Sequence, residues 1–323
     1  SRGAATRGAR AKEVQVQLAI IGLGRMGADM VRRLLRDGHE VVVSDLQQDA
    51  VALLAAEGAV PAASVTAAVE QLRAPRVVWS MVPAGAATEQ VLLDAMRSLS
   101  PGDVVVDGAN SNWKDSIRRA EAAAGAQLGW LDAGVSGGVW GLAEGYNLMV
   151  GGDAAAFEAA RPALESLAPP GGLLHVGPAG SGHFVKMIHN GIEYGLLQAY
   201  AEGFEALAAY PHAELDLAGV AELWTHGSVV RSWLLELLAG ALEPDARLAS
   251  IEGYVDDSGM GRWTVDFAVE HEVPLPAISA ALYARFASRQ AESFAAKVVA
   301  ALRHGFGGHA TKPLHAPEPL EEG

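Results

Sequence analysis

The chain has 323 residues, of which 50% are hydrophobic, and its formal net charge is −14 at pH 7. An acidic chain disfavours nucleic acids and anionic membrane surfaces, so we expect neither as a partner. It contains no cysteine, which excludes disulfides and thiolate metal sites. No apolar run approaches the roughly 20 residues that span a bilayer, so we expect a cytoplasmic protein.

The two ends differ in composition from the rest of the chain. Residues 1–13 contain Arg and Ala but no apolar stretch of a secretory signal, and we expect a disordered leader or a remnant of expression. Residues 311–323 are rich in Pro and in charge, so we expect a flexible C-terminal tail.

Short apolar strands alternate with helical patterns between residues 14 and 178. The patterns predict helices at 26–38 and 49–58, and strands at 15–22, 40–45, 76–82, 103–108, 128–138, 147–153 and 171–177. Such alternation predicts a parallel sheet covered by helices on both faces. We therefore expect a Rossmann-type α/β domain over residues 14–178.

Strand signals nearly vanish after residue 178. Long helical patterns fill residues 183–305, and the clearest of them lie at 229–242 and 276–305. We therefore predict that an all-α domain over residues 179–310 follows the dinucleotide-binding domain and serves substrate binding and oligomerisation.

A glycine-rich loop joins the first predicted strand to the first helix. In "GLGRMG", Gly22, Gly24 and Gly27 form the pattern GxGxxG, and Asp45 follows 18 residues after Gly27, at the end of the second strand. This context is typical of dinucleotide binding, with the pyrophosphate on the helix N-terminus and the acid on the ribose. The alternative is a tight turn without a ligand.

The residue that selects the cofactor is predicted to be Asp45. Its carboxylate can accept hydrogen bonds from ribose hydroxyls and would repel a 2′-phosphate, and it is followed by Leu46 and Gln47 rather than by arginine. We therefore expect NAD as the cofactor. NADP is less favoured, although Arg25 is a candidate phosphate partner.

A polar stripe lies on the first helix of the second half. In "FVKMIHNGIEYG" the offsets place five side chains on one helix face: Lys186, His189, Asn190, Glu193 and Tyr194. Burial and the helix dipole both disfavour a charged lysine early in a helix, so Lys186 is a candidate base. Glu193 is a candidate acid two turns later, and Asn190 between them is a neutral donor.

Two further expectations concern the same helix. Ser181 is predicted to cap its N-terminus, and the apolar face with Val185, Ile188 and Ile192 is expected to contact the core. The alternative is a solvated surface helix with a Lys–Glu pair. The position directly after a nucleotide-binding domain favours an active site.

Six motifs along the chain resemble those of the 6-phosphogluconate dehydrogenase family, in its short-chain bacterial form. They are, in the family's order, "GLGRMG", "DGANSNW", "GVSGG", "GHFVKMIHNGIEYG", "GRWT" and "FGGH", and they extend from residue 22 to residue 309. The wider β-hydroxyacid dehydrogenases share the glycine loop and the lysine but not "HNGIEYG".

The resemblance implies oxidative decarboxylation of 6-phosphogluconate to ribulose 5-phosphate in the pentose phosphate pathway. Lys186 matches the base that takes the C3 hydroxyl proton, and Glu193 matches the acid that protonates C1 of the enediol. Asn190 completes the catalytic set. This chemistry requires an electron sink and a proton donor, and no metal is expected.

The binding residues are assigned in two groups. To the cofactor we assign Gly22, Leu23, Gly24, Arg25, Met26, Gly27, Asp45, Met81, Val82, Pro83 and Asn110. To the substrate we assign Asn110, Ser136, Gly137, Gly138, Lys186, His189, Asn190, Glu193, Tyr194, Arg285, Arg303 and His309. The alternatives are a plain turn at residues 136–138 and a structural role for His189.

The substrate phosphate raises a separate question. The resemblance assigns it to Tyr194 and Arg285, and to Arg303 and His309 donated by a neighbouring subunit, which implies a homo-oligomer, either dimer or tetramer. The long-chain enzymes of the family carry Lys and Thr where this chain has Ser258 and Met260. Arg262 is a candidate replacement, unless it pairs with Asp256 or Asp257.

Two other functions remain open at this stage. One is a dehydrogenase of another β-hydroxy acid, including unphosphorylated acids such as gluconate. The other is a dimer that senses nucleotides without catalysis, although a retired enzyme would have no need of both Lys186 and Glu193.

Overall fold

The structure is a computed structural model that describes residues 15–312. The predicted leader therefore lies outside the described residues, as does the predicted tail from residue 313 onward. The chain forms two compact units that divide after Ile192, and each is described by itself. The domain limits at residues 14–178 and 179–310 stay predictions.

One sheet organises the first unit. Among the described residues it has eight strands in the order β3-β2-β1-β4-β5-β6-β7-β8. Their bounds are β1 Gln17–Ile21, β2 Glu40–Ser44, β3 Val60–Pro61, β4 Val77–Ser80, β5 Val104–Asp107, β6 Gly129–Ser136, β7 Asn147–Gly152 and β8 Leu173–Gly177.

The strands of the first unit are joined by helices that cover the sheet. These are α1 Arg25–Arg36, α2 Gln48–Ala56, α3 Val65–Glu70, α4 Ala86–Ser98, α5 Trp113–Gly125, α6 Gly141–Glu144 and α7 Ala154–Leu167. Strand β1 shows that both faces are buried, since Leu18 and Ile20 belong to one hydrophobic cluster while Ala19 and Ile21 belong to another. The predicted α/β sheet with two covered faces is confirmed.

One strand pair departs from the predicted parallel arrangement. All neighbouring strands are parallel except β6 and β7, which are antiparallel. Only ten residues separate Ser136 from Asn147, and they contain a 3₁₀ turn, Gly138–Trp140, followed by α6. A parallel crossover requires about a dozen residues or more, so the short connection forces the chain to reverse.

The second unit is helical, as predicted. Helix α8 Ser181–Ala208 runs unbroken across the division between the units, and it is followed by α9 Leu217–Thr225, α10 Trp233–Leu242, α11 Met260–Glu270, α12 Pro276–Ser288 and α13 Phe294–Gly307. The pattern predicted at 276–305 is two helices, because Ser293 caps α13 by accepting the Ala296 N–H. Among the described residues, none of the helices is long and apolar enough to cross a membrane.

Candidate active site

The glycine loop follows β1 and approaches the end of β4 closely. Gly22 has φ +99°, donates its N–H to the Ser44 carbonyl at 2.9 Å, and would place a Cβ only 2.8 Å from the Val82 nitrogen. A Cβ on Gly27 would lie 2.0 Å from the Gly22 carbonyl oxygen. Both glycines are therefore required by packing within the loop.

Gly24 differs from the other two glycines of the loop. It is the N-cap of α1, it has φ −59°, and a Cβ added to it would meet no heavy atom of the chain within 4 Å. The open space lies at the first turn of a helix, where unpaired backbone N–H groups favour an anion. The space at Gly24 therefore fits the pyrophosphate of a dinucleotide.

The Asp45 carboxylate is fixed beside this loop at the end of β2. One oxygen accepts the Leu23 N–H at 2.6 Å and the other accepts the Gln47 N–H at 2.7 Å, while Leu46 is fully exposed. An acid held at this position fits the ribose of a dinucleotide. Arg25 is exposed at the first residue of α1 and forms no hydrogen bond or ion pair with the described residues.

The other predicted cofactor residues lie at the ends of β4 and β5. Met81 donates its N–H to the Ile21 carbonyl at 2.7 Å, and Val82 and Pro83 follow it. A Cβ on Gly108 would lie 2.6 Å from the Met81 sulfur, so the loop after β5 contacts Met81 directly. That loop contains Asn110.

Asn110 joins the loop after β5 to strand β6. It has φ +54°, a conformation that Asn tolerates better than most residues, and its amide bonds both backbone groups of Val135 at 2.9 and 3.1 Å. Ser136 at the end of β6 is therefore held beside Asn110. Gly137 and Gly138 follow with φ +139° and +49°, and the turn they form directs the chain away from the sheet.

Lys186 lies on α8 against the middle of strand β6. Its side chain is buried, with 5% of its surface exposed. A Cβ on Gly134 would lie 2.5 Å from the Lys186 Cβ, so only glycine at this strand position leaves room for the stem of the lysine. His189 and Asn190 are half-buried on the next turn, where their side chains share a 2.9 Å hydrogen bond.

Two expectations about α8 are wrong. Ser181 does not cap the helix, because its hydroxyl donates to the Pro178 carbonyl at 2.6 Å. Val185 and Ile192 are exposed by 37% and 52%, and Ile188 is only half-buried, whereas Lys186 is buried against Gly134 of β6. At this position it is therefore a polar residue of α8, and not its apolar face, that contacts the sheet.

The N-terminal cap of α8 comes from strand β6. Asp132 is fully buried, and its two carboxylate oxygens accept the N–H groups of Gly180 at 2.7 Å and His183 at 2.9 Å. Burial raises the pKa of Asp132, while the nearby His183 and these hydrogen bonds oppose the rise. Asp132 is not among the residues predicted from the sequence, although a carboxylate inside an apolar strand is a visible signal of a buried polar role.

The predicted phosphate residues meet in the second unit. The Arg285 guanidinium stacks on the Tyr194 ring at 3.4 Å from its centroid and donates to the Asp256 carbonyl at 3.0 Å. The Ser258 N–H donates to the Tyr194 hydroxyl at 3.3 Å, and Met260 is buried. These contacts bring Tyr194 and Arg285 together, as the assignment to one ligand requires.

Arg262 pairs with Asp257, which was one of the two alternatives. Its guanidinium makes hydrogen bonds of 2.9 and 3.0 Å to the Asp257 carboxylate, and Arg289 adds a third at 3.0 Å. These guanidinium groups, Arg262 first, lower the pKa of Asp257 to about 2. Two nitrogens of the Arg262 guanidinium, Nε and one terminal nitrogen, are therefore engaged by Asp257.

Arg303 and His309 lie in the second unit, in helix α13 and just after it. Both are exposed, and among the residues that the structure describes neither forms a hydrogen bond or ring contact with Tyr194 or Arg285 of the same unit. Glu193 is half-buried on α8, seven residues after Lys186. Within residues 15–312, no group of His, Asp or Glu side chains is arranged to hold a metal ion.

Known proteins are similar in sequence to this chain over nearly its whole length. Residues 17–177 match the family described as the NAD-binding domain of 6-phosphogluconate dehydrogenase, and residues 182–312 match the C-terminal domain of the same enzyme. A relative from Haloferax volcanii, the NAD(+)-dependent, decarboxylating 6-phosphogluconate dehydrogenase, is 47% identical over 91% of this chain and 98% of its own.

The chain belongs to the 6-phosphogluconate dehydrogenase family. This confirms the resemblance seen in the motifs, the fold class, and the expectation of an oxidoreductase that uses a nicotinamide cofactor and a small-molecule substrate. The assignments of individual site residues stay predictions.

Two solved structures show the same fold in related dehydrogenases. The Plasmodium falciparum 6-phosphogluconate dehydrogenase, studied in its apo form and with NADP+ or 6-phosphogluconate, is 26% identical with a TM-score of 0.79, covering 94% of this chain and 67% of that one. The Mycobacterium tuberculosis 3-hydroxyisobutyrate dehydrogenase is 27% identical with a TM-score of 0.68, covering 90% of this chain and 100% of that one.

The glycine loop of this family member allows packing and cofactor binding to be separated by two matched substitutions. Gly24→Ala adds a methyl group to open space, so we expect a melting temperature within about 2 °C of wild type and a Kd for NAD+ raised at least about tenfold. Gly27→Ala forces the methyl group against the Gly22 carbonyl, and we expect a melting temperature lower by about 5 °C or more. Calorimetric titration and thermal unfolding measure the two effects. Equal effects of the two variants on both quantities would contradict this division.

Proposed function

We propose that the protein is an NAD-preferring enzyme that converts 6-phospho-D-gluconate to D-ribulose 5-phosphate and CO2. The observation that carries the proposal is the position of Lys186. It is buried on α8 against Gly134, and Gly134 lies two positions before the predicted substrate residue Ser136 on the same strand. Membership of the 6-phosphogluconate dehydrogenase family supports it. The Haloferax volcanii relative of this family carries the same reaction in its name.

The cofactor is proposed to bind at the glycine loop. The open space at Gly24 receives the pyrophosphate, Asp45 accepts hydrogen bonds from the adenosine ribose, and Met81 to Pro83 border the nicotinamide half. A 2′-phosphate would add negative charge directly against the Asp45 carboxylate, so NAD is preferred to NADP. When bound, the nicotinamide ring accepts the hydride that leaves C3 of the substrate.

Lys186 is proposed to act as the base in the first half of the reaction. Lys186 is buried, and burial disfavours the charged form of a lysine, which suits a residue that accepts a proton from the substrate. The amine removes the proton of the C3 hydroxyl, and C3 becomes a ketone as it loses its hydride. The lysine then carries a positive charge beside the ketone oxygen.

Lys186 and Glu193 are proposed to share the second half of the reaction. The bond between C1 and C2 breaks, CO2 leaves, and its electron pair forms the C2–C3 double bond while the lysine returns its proton to the C3 oxygen. Glu193 donates a proton to the former C2, which is C1 of the product, and Lys186 takes back the proton of the enediol hydroxyl. Seven residues span about two turns of α8, so both groups lie on one helix face.

The sugar acid is proposed to be held by neutral groups. Ser136, with the turn at Gly137 and Gly138, lies at the end of β6, and Asn110 fixes that end through Val135. His189 and Asn190 supply further polar groups from α8, one turn after the lysine.

The phosphate is proposed to contact Tyr194 and Arg285. The guanidinium is held in place by the aromatic ring and the Asp256 carbonyl, which leaves its remaining N–H groups available to a phosphate. A second candidate substrate is an unphosphorylated β-hydroxy acid such as gluconate. It is favoured by Ser258 and Met260, which supply no cationic donor where the long-chain enzymes have one.

The protein is proposed to act as a homo-oligomer, either a dimer or a tetramer. Helix α13 has no buried residue and exposes a stripe of apolar side chains, namely Phe294, Val298, Val299, Leu302 and Phe306. Exposed apolar stripes of this kind are usually covered by another surface. A second copy that covers α13 would receive Arg303 and His309 at its own site.

Because the dinucleotide and the phosphorylated acid are charged metabolites that lipid bilayers exclude, we propose that the enzyme acts in the cytoplasm.

Two substitutions of Lys186 test its role as the base. Lys186→Met removes both charge and basicity, whereas Lys186→Arg keeps the charge but cannot release a proton near pH 7. We expect both to lower kcat with 6-phosphogluconate by about 10²- to 10⁴-fold, and to leave the Kd for NAD+ within about twofold of wild type. NADH absorbance and cofactor titration measure these values. If Lys186→Arg keeps more than a tenth of the wild-type kcat, the lysine acts through its charge and the proposed base role is wrong.

Mixed oligomers test whether the C-terminal residues complete a neighbouring site. Lys186→Met chains and Arg303→Ala chains should each have little activity alone. Co-expressed, they should recover about a quarter of the wild-type activity, because half of randomly formed dimers are mixed and each mixed dimer has one intact site. If Arg303 serves its own chain, co-expression gives no recovery.

A further inference from the structure

Asp132 links strand β6 to the N-terminal end of helix α8 through hydrogen bonds. The helix has no cap of its own at this end, since the Ser181 hydroxyl donates to Pro178 instead of accepting from the helix. The Asp132 carboxylate accepts the N–H of Gly180, directly before α8, and the N–H of His183 in its first turn, and Asp132 stands 48 positions before Gly180 in the chain. Hydrogen bonds to an ionised acceptor are about twice as strong as neutral ones, so this is a firm link between strand and helix.

Three glycines bring α8 close to strands β6 and β7. A Cβ on Gly182 of α8 would lie 2.1 Å from the Asp132 carbonyl oxygen of β6, and a Cβ on Gly151 of β7 would lie 2.6 Å from the Gly182 nitrogen. A Cβ on Gly134 of β6 would lie 2.5 Å from the Lys186 Cβ and 2.8 Å from the Gly182 carbonyl oxygen. At such short separations a shift of the helix cannot be absorbed by rotating side chains, because backbone atoms meet backbone atoms.

One face of β6 carries three residues with linked roles: the one that caps α8, the one that contacts Lys186, and the predicted substrate residue. Side chains alternate along a strand, so Asp132, Gly134 and Ser136 share one face at steps of about 6.6 Å. Asp132 holds the first turn of α8, Gly134 contacts Lys186 on the next turn, and Ser136 ends the strand.

We propose that Asp132 is a positioning residue, which sets the place of Lys186 relative to Ser136 and thereby the rate of proton removal from the substrate. This rests on the proposed function, in which Lys186 is the base. A capping side chain next to the helix in sequence would stabilise α8 but would move together with it. A cap from β6 instead ties the base to the strand that carries the substrate residue.

A matched pair of isosteric substitutions separates positioning from stability. Asp132→Asn keeps one acceptor but turns an NH2 group toward a backbone N–H. The control is Asp103→Asn, because Asp103 is also buried and also accepts two backbone N–H groups, from Arg76 at 2.8 Å and Ser100 at 2.9 Å. Asp103 directly precedes β5, and its carboxylate also accepts the Arg76 guanidinium at 3.1 Å, so among the described residues its hydrogen-bond partners are Arg76 and Ser100 and none of them belongs to α8.

We expect similar losses of melting temperature from the two variants, about 3–10 °C, and different catalytic effects. Asp132→Asn should lower kcat with 6-phosphogluconate about 10²-fold with the KM for NAD+ within about threefold, whereas Asp103→Asn should keep kcat within about twofold. Amide hydrogen exchange, followed by mass spectrometry, should be at least about tenfold faster at residues 183–187 in Asp132→Asn and unchanged there in Asp103→Asn.

A second variant guards against a failure to fold. Asp132→Glu keeps the charge and both acceptors but lengthens the link by one methylene group, so kcat should fall while the protein stays folded. A wild-type kcat in either Asp132 variant, or unchanged exchange at the start of α8, would overturn the positioning role. If wild-type protein does not turn over 6-phosphogluconate, the proposed function fails instead, and the exchange comparison decides whether Asp132 holds the helix.

Discussion

The close contact between helix α8 and strand β6 is the constraint on which the site depends. It exists because glycine occupies position 134 in β6 and position 182 in α8, where any Cβ would overlap backbone or lysine atoms. It is held by a buried carboxylate, Asp132, that bonds the first turn of the helix. Lys186 is buried at this contact, and burial disfavours the charged form of a lysine, which is why the proposal assigns the base to this residue.

The parallel sheet explains why the residues predicted to bind cofactor and substrate in the first unit meet at one edge of it. The carboxyl ends of β1, β2, β4 and β5 point the same way, so the glycine loop, Asp45, Met81 and the Asn110 loop gather there. Strand β6 runs parallel to β5 and brings Ser136 to the same edge. The reversal at β7 comes after Ser136, so all of these residues stay at the same edge of the sheet, and the chain then turns back toward α7.

The sequence predicted the fold well because its signals are local. Strand and helix periodicities, the GxGxxG loop and Asp45 each depend on neighbours in the chain, and the structure has them where they were expected. The face of α8 that is buried was not predictable in this way. A period of 3.6 shows that a stripe exists, but which side meets the sheet depends on Gly134 and Gly151, distant in sequence. For the same reason Ser181 looked like the cap, although a strand residue takes that role. The pairing of Arg262 with Asp257 also required the fold, since two aspartates and a free guanidinium were equally compatible with the spacing.

The most direct measurement follows NADH formation and CO2 release together, with 6-phosphogluconate labelled at C1 and purified protein. Oxidative decarboxylation predicts one labelled CO2 for each NADH, faster reduction with NAD+ than with NADP+, and little reduction with gluconate. NADH without labelled CO2 would make the protein a simple β-hydroxy acid dehydrogenase. Equal rates with gluconate would show that Tyr194 and Arg285 do not select a phosphate, and either result would contradict the proposed reaction.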